Sequence, residues 1–254
     1  MRLLNHAKLP NSFEPRECPD LVRLGRDNDG GYLVSQSDVE GSDFLLSMGV
    51  NHDWSFEVDF VRHTDCSIHA YDASIGLRTL FVSAVKAIVK LRLLAAYQRI
   101  SNLAQYVIFF RGQRTHIRKF IGFNVKDYSL SLAEAIGQTG SAKVFVKMDI
   151  EGWEYRTLDH LINNANMLTG AVIEFHDADL HLNRIMEFIE NFDIELAHIH
   201  VNNFASVNSE GIPLVLELTF SRHVSANRTT STFPHLLDMP NCTSLREIGI
   251  CFER

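Results

Sequence analysis

Proline is missing from residues 20–212. Pro10, Pro15 and Pro19 lie before that span, and Pro213, Pro234 and Pro240 lie after it. No Pro/Gly/Ser-rich linker divides it either, so the sequence reads as a single domain over 1–254. Its expected parts are an entry segment (1–40), a core (41–222) and a C-terminal extension (223–254). Cysteine is scarce, and Cys18, Cys66, Cys242 and Cys251 form no CxxC pair. That spacing excludes a zinc ribbon and fits buried thiols in a reducing compartment better than a disulfide framework. No GxGxxG occurs, which weighs against a standard dinucleotide site. The most apolar helical stretch, Leu80–Tyr97, is broken by Lys86, Lys90 and Arg92, so it is a poor membrane span. The opening MRLLNHAKLPNSFEPRE is too polar for a secretory signal, and a cytoplasmic location is the expectation. Internal repeats and low-complexity tracts are also absent.

Acid is missing where base is abundant. No Asp or Glu lies between Asp72 and Asp127, whereas Arg78, Lys86, Lys90, Arg92, Arg99, Arg111, Arg114, Arg118, Lys119 and Lys126 do. The chain of 254 residues holds 24 basic and 31 acidic side chains, a formal charge of -7. That balance argues against general nucleic-acid binding. A hydrophobic share of 46% with 22% charged residues is globular composition, which excludes a disordered chain.

Short apolar runs rich in β-branched and aromatic residues predict buried strands at Phe44–Val50, Ser67–Asp72, Tyr106–Phe110, Lys143–Asp149, Gly170–His176, Ile194–Val201 and Leu214–Phe220. Helical spacing appears at Asp53–Thr64, Arg78–Asn102, Leu130–Ile136, Glu151–Asn163 and Asp179–Asn191. Strand–helix alternation implies right-handed crossovers and a mostly parallel, doubly wound α/β sheet. The last two strands are joined by a polar loop too short for a crossover, so an antiparallel C-terminal pair is expected. This pattern resembles the Rossmann-like fold of class I methyltransferases dependent on S-adenosylmethionine (SAM).

In such a sheet, ligands sit outside the carboxyl ends of the strands. Strand one ends at Gly49, which permits close backbone approach, and a helix follows. Strand two ends at Asp72, placed to accept a hydrogen bond from a ribose hydroxyl or to cap the next helix. Strand four runs into Lys147, Asp149, Glu151 and Glu154, a costly set to desolvate. Helix capping accounts for the acids but not for the lysine. On strand five Glu174 and His176 share a face, and with Asp149 they form a set able to hold a divalent metal such as Mg²⁺ or to supply a general base. His198, His200 and Asn202 alternate onto one face of strand six, either lining an acceptor pocket or hydrogen-bonded at a solvated rim.

Several segments together resemble the FkbM-type methyltransferases. They are Arg23–Tyr32 (RLGRDNDGGY), Ser47–Glu57 (SMGVNHDWSFE), Tyr128–Ile136 (YSLSLAEAI) and Val146–Glu154 (VKMDIEGWE), followed by IEFH at 173–176, IHVNN at 199–203 and PLVLELTF at 213–220. Ser47 stands where the commoner D-x-G-A-N-x-G form has its Asp. The resemblance implies SAM binding and O-methylation of sugar hydroxyls or polyketide alcohols. It implies that Gly49, Asp53, Asp72 and Asp149 contact SAM, and that Asp149 and Glu151 sit where methionine and acceptor meet.

The expected reaction is an in-line displacement at the sulfonium methyl. The protein must align the acceptor oxygen and remove its proton, with His176 or Asp149 as base, directly or through Mg²⁺. Arg111, Arg114, Arg118 and Lys119 are expected near the ligand edge, where they suit a small-molecule or glycan acceptor bearing phosphate or carboxylate. An anionic membrane surface is a weaker option for the basic stretch. Two rival functions are a nicotinamide-dependent oxidoreductase and a non-catalytic binding module on the same fold.

Overall fold

A computed structural model describes residues 6–122 and 128–253. Lys126, counted above in the basic block, lies outside them. The central sheet has seven strands: β1 (Phe44–Met48), β2 (Ser67–Tyr71), β3 (Arg114–Ile117), β4 (Val144–Met148), β5 (Leu168–Phe175), β6 (Glu195–Val201) and β7 (Leu216–Ser221). The principal helices are α1 (Ser55–His63), α2 (Leu77–Val89), α3 (Leu93–Phe109), α4 (Leu132–Thr139), α5 (Leu158–Asn163) and α6 (Ala178–Asn191).

The strand order is β6-β7-β5-β4-β1-β2-β3. Strands β1 to β5 pair in parallel, while β7 lies antiparallel between β5 and β6. The expected sheet, mostly parallel with a reversed strand at its C-terminal end, is therefore present. β1 and β4 form its centre, and every residue of both is buried. Helices cover both faces of these strands, so they read as continuous apolar runs rather than alternating ones. Leu46, Val146 and Ile173 belong to the core on one face; Leu45, Phe145 and Val172 belong to the core on the other. The chain leaves β1 toward β2 and leaves β4 toward β5, so the topological switch point lies between β1 and β4.

The structure corrects the sequence reading between β2 and β3. Tyr106–Phe110 is not a strand: its first four residues are the last turn of α3. Tyr106 and Phe109 are buried there while Val107 and Ile108 point outward, which is a helical period rather than a strand period. The third strand is the short edge segment Arg114–Ile117, too polar to announce itself as an apolar run. Arg78–Asn102 is likewise not one helix. Leu91 adopts φ 52°, and the chain folds back as an antiparallel hairpin of α2 on α3.

Around the sheet lie three smaller ladders among the described residues, one of them pairing Phe120–Ile121 with Ser129–Leu130. Leu21–Leu24 and Tyr32–Ser35 form an antiparallel hairpin, which Thr219 fastens to β7 by donating to the Leu33 carbonyl at 2.6 Å. His6–Pro10 pairs in parallel with Gly249–Glu253, bringing distant parts of the chain together.

Candidate active site

The carboxyl ends of β1, β2 and β4 border a cleft of about 410 Å³, within the size range of small-molecule sites. Gly49, Asn51, Asp72, Ser74, Asp149 and Glu151 supply its polar lining; Tyr71, Phe120, Ile121, Ile150 and Trp153 supply its apolar walls. The sequence reading found Gly49, Asp72, Asp149 and Glu151 among these. Phe120 and Ile121 follow β3, a strand that the apolar pattern predicts too early in the chain.

Gly49 is required by packing as well as by any ligand. It has φ 78°, and a Cβ there would lie 1.5 Å from the Asp149 carbonyl oxygen. Only glycine lets the ends of β1 and β4 approach this closely. Gly49 donates its amide to the Tyr71 carbonyl at 3.0 Å, and Asp149 donates its amide to Met48 at 3.1 Å. The Lys147 ammonium completes the clamp by donating to the Gly49 carbonyl at 2.9 Å. Lys147 is 5% exposed, and its charge also opposes the burial that raises the pKa of Glu57. Glu57 in turn accepts from the Ser47 hydroxyl. Thus the lysine that helix capping left unexplained is a strut beneath the cleft.

Asp72 holds two loops. One carboxylate oxygen accepts the Asn51 amide at 2.6 Å; the other accepts the Ser74 amide and hydroxyl at 2.7 and 2.6 Å. A carboxylate offers about four acceptor positions, so about one remains for a hydroxyl in the cleft. Asp53 does not line the cleft. It accepts the Ser55 amide and pairs with Arg26 of the entry segment at 2.9 Å.

The K-x-D-x-E-G-x-E segment divides its work. Asp149 is partly exposed at the cleft floor, and burial pushes its carboxyl up to about 6 against the pull of Lys147 and His176. Glu151, at φ 55°, stands on the exposed rim, and Gly152 continues the left-handed turn at φ 92°. Glu154 is buried and accepts the amides of Ile150 and Gly152 at 3.0 and 3.2 Å, fixing that turn.

His176 sits among four carboxylates. Its Nδ1 is 3.2 Å from Glu154, and its Nε2 is 3.6 Å from Glu151, 3.9 Å from Asp149 and 4.0 Å from Glu174. Burial lowers its pKa, but the surrounding acids outweigh that and bring it to about 9. The imidazole is therefore charged at neutral pH. Ligand atoms of Asp149, Glu151 and His176 lie within 4.8 Å of one another, two carboxylates and an imidazole that would meet a divalent cation only in its neutral form. Glu174, expected in that set, is committed elsewhere. It accepts from the Tyr32 hydroxyl at 2.8 Å and the Asn202 amide at 2.9 Å, and burial raises its pKa well above the ordinary carboxyl range.

The β6 residues bind the chain's own C-terminal part. His198 pairs with Asp238 at 2.9 Å, and His200 with Glu217 at 2.9 Å and Glu247 at 3.4 Å. They are hydrogen-bonded, as one expectation had it, but buried rather than at a solvated rim. Arg111 and Arg114 also depart from expectation. With β3 at Arg114–Ile117 they precede or begin the strand, at the end away from the cleft, and only Arg118 and Lys119 follow it. Arg118 packs its side chain over Gly76. The resemblance segment at 128–136 includes a capping box: Ser131 and Glu134 start α4, directly after Ser129–Leu130 pairs with Phe120–Ile121 of the cleft wall.

No protein-family model matches the chain, and no curated protein matches it significantly. Its sheet is doubly wound and mostly parallel, with the single reversed strand β7 between β5 and β6. Solved structures of similar fold include the fibrillarin/Nop5p complex (12% identity, TM-score 0.40, 72% of this chain and 73% of that one). Another is Sp1610 of Streptococcus pneumoniae, a putative tRNA (m1A22) methyltransferase in complex with S-adenosyl-L-methionine (11%, 0.38, 75% and 72%). A third is precorrin-6y C5,15-methyltransferase of Geobacter metallireducens (13%, 0.38, 73% and 84%). At these identities and TM-scores the likeness assigns no chemistry to this chain.

Proposed function

We propose that this protein is a SAM-dependent methyltransferase that methylates a hydroxyl of a sugar, glycan or related secondary metabolite, as its resemblance to FkbM-type enzymes implies. The observation that carries the reading is the convergence of Gly49, Asp72 and Asp149 on one cleft at the switch point of the sheet. The cleft fits the cofactor in kind. Asp72 keeps an acceptor position for a ribose hydroxyl, and Phe120, Ile121 and Trp153 offer an apolar wall for a base. SAM, when bound, supplies an activated methyl on a sulfonium that is already a good leaving group.

The protein's part is alignment and proton removal. With a pKa of about 6, Asp149 is ionised at neutral pH and accepts the hydroxyl proton on its carboxylate. His176, being charged, acts as an electrostatic counterweight that keeps Asp149 ionised among its acidic neighbours. Mg²⁺, which would lower the pKa of a bound hydroxyl, would be held by the carboxylates of Asp149 and Glu151, and by His176 only after its imidazolium gives up a proton. Arg118 and Lys119 lie between β3 and Phe120 of the cleft wall, where they suit an anionic acceptor.

Calorimetric titration with SAM and with NAD separates this reading from the oxidoreductase. SAM should bind and NAD should not, and Asp72→Asn should weaken SAM at least tenfold. Saturable NAD binding without SAM binding would overturn the proposal. Transfer of labelled methyl from SAM to a glycan pool then separates an enzyme from a binding module.

A further inference from the structure

The hairpin of α2 and α3 takes no part in the cleft, yet it is the most apolar surface of the protein. A crossover between β2 and β3 needs one helix; here two are inserted, packed chiefly on each other. Ala84, Ala87 and Ala96 are buried along their seam, but they belong to neither hydrophobic core. Among the described residues, thirteen of the twenty-one exposed large apolar side chains lie between Leu77 and Ile108. Exposure peaks at the turn, where Val89, Leu91, Leu93, Leu94 and Tyr97 are 72–82% exposed. Contiguous apolar exposure of this kind marks an interaction surface.

Charge identifies the occupant. Arg78, Lys86, Lys90, Arg92 and Arg99 are all exposed on the same hairpin, and no acid occurs from residue 73 to 122. A nucleic acid would pair these cations but leave the leucines wet. An apolar protein face would cover the leucines but leave the cations unpaired. An anionic bilayer offers acyl chains to the tip and phosphates to the flanking Lys and Arg. No helix among the described residues is long and apolar enough to cross a membrane, so the hairpin would insert from one side.

We propose that the α2–α3 hairpin docks the protein on an anionic phospholipid surface, burying Leu91, Leu93 and Leu94 below the headgroups. The hairpin starts three residues beyond Ser74 of the cleft wall, and Asn102 of α3 reaches the His52 carbonyl at 3.5 Å, beside the end of β1. The base of the hairpin thus adjoins the cleft, and its docking tip lies the length of α2 beyond, roughly 20 Å for its 13 residues.

Co-sedimentation of the full chain with vesicles tests this. Mixed phosphatidylcholine/phosphatidylglycerol vesicles should bind it at least tenfold more tightly than phosphatidylcholine alone, and added salt should weaken the binding. Leu91→Asp with Leu94→Asp should lose binding at least tenfold even at low salt, and Lys90→Glu with Arg92→Glu should lose the preference for anionic lipid. Unchanged circular dichroism and SAM titration in both variants would show that folding and the cleft are intact, whatever the outcome for the cofactor. Equal binding by parent and variants, or no binding to anionic vesicles, would overturn the proposal. So would a lipid-free dimer that Leu91→Asp dissociates, which would assign the face to a second copy of the chain.

Discussion

Lys147→Met tests how the cleft is held. Methionine keeps the length of the side chain and removes its charge and donors. Three groups lose it: the Gly49 carbonyl, 2.9 Å from the ammonium, the Asp149 carboxylate at 4.0 Å, and Glu57, which is 1% exposed and feels the lysine's charge. An orphaned buried acceptor costs about 1–3 kcal/mol, and a buried carboxylate deprived of its cation about 3–5 kcal/mol. The two do not simply add, because Glu57 can escape part of its cost by taking up a proton. A loss of about 3–4 kcal/mol is expected, which for a chain of this size lowers Tm by roughly 6–16 °C. Glu57→Gln in the same background removes the stranded charge, so the double variant should recover about 1–3 kcal/mol.

The pH dependence has a defined sign. Burial raises the Glu57 carboxyl in the folded state. The fold therefore binds that proton more tightly than the unfolded chain does. Stability tied to Glu57 is greatest below the ordinary Glu value of about 4.3 and is lost as pH rises through the higher folded value. Removing Lys147 raises that value further, so the deficit of the variant should widen with increasing pH. Urea unfolding followed by circular dichroism at several pH values measures all of this. A Lys147→Met protein within about 1 kcal/mol of the parent, or a Glu57→Gln change that fails to rescue it, would refute the strut.

Other residues give independent tests. His176→Gln should leave SAM affinity within about twofold while kcat/KM for methyl transfer falls at least tenfold; loss of SAM binding in calorimetry would move His176 out of its electrostatic role. The His200 imidazole is held well above its ordinary value by Glu217 and Glu247 despite burial. Its contribution to stability is full below about pH 6.5 and is lost as pH rises through the folded value. The Tm gap between parent and His200→Gln should therefore shrink in alkaline buffer, and a gap that grows would show that the ion pair is misread. Gly49→Ala must push apart backbone that leaves no room for a Cβ. Thermal unfolding should show a loss of roughly 3 kcal/mol or more, and a neutral result would mean the β1–β4 approach is looser than described.

The parallel centre of the sheet was legible because β1, β4 and β5 are buried on both faces and declare themselves as apolar runs. The reversed strand was legible from a loop too short to cross over. β3 was hidden because an edge strand of Arg, Thr, His and Ile carries little burial signal, while the aromatic helix end before it carries much. The turn at Leu91 was hidden because neither glycine nor proline marks it. At the site, strand ends pointed to Gly49, Asp72 and Asp149, since topology fixes where strands end. The roles of Lys147, Glu154, His198 and His200 depend on which neighbour each side chain reaches, and no local pattern encodes that. Asp53 shows the same limit, for its partner Arg26 lies in a segment the sheet pattern does not describe.

The ladder between His6–Pro10 and Gly249–Glu253 bears on how the chain is made. Loop-closure entropy grows only slowly with length, so joining such distant segments costs little more at equilibrium than joining near ones. In time the cost is different. During synthesis from the N-terminus, the His6–Pro10 segment emerges well before Gly249–Glu253, its strand partner among the described residues. Through that interval it is a strand with unpaired edges, the condition in which newly made chains associate wrongly. Lys8, which later pairs with Glu253 at 3.3 Å, and Pro10 are residues that discourage such pairing. The same five residues thus guard the nascent chain before they close the finished one.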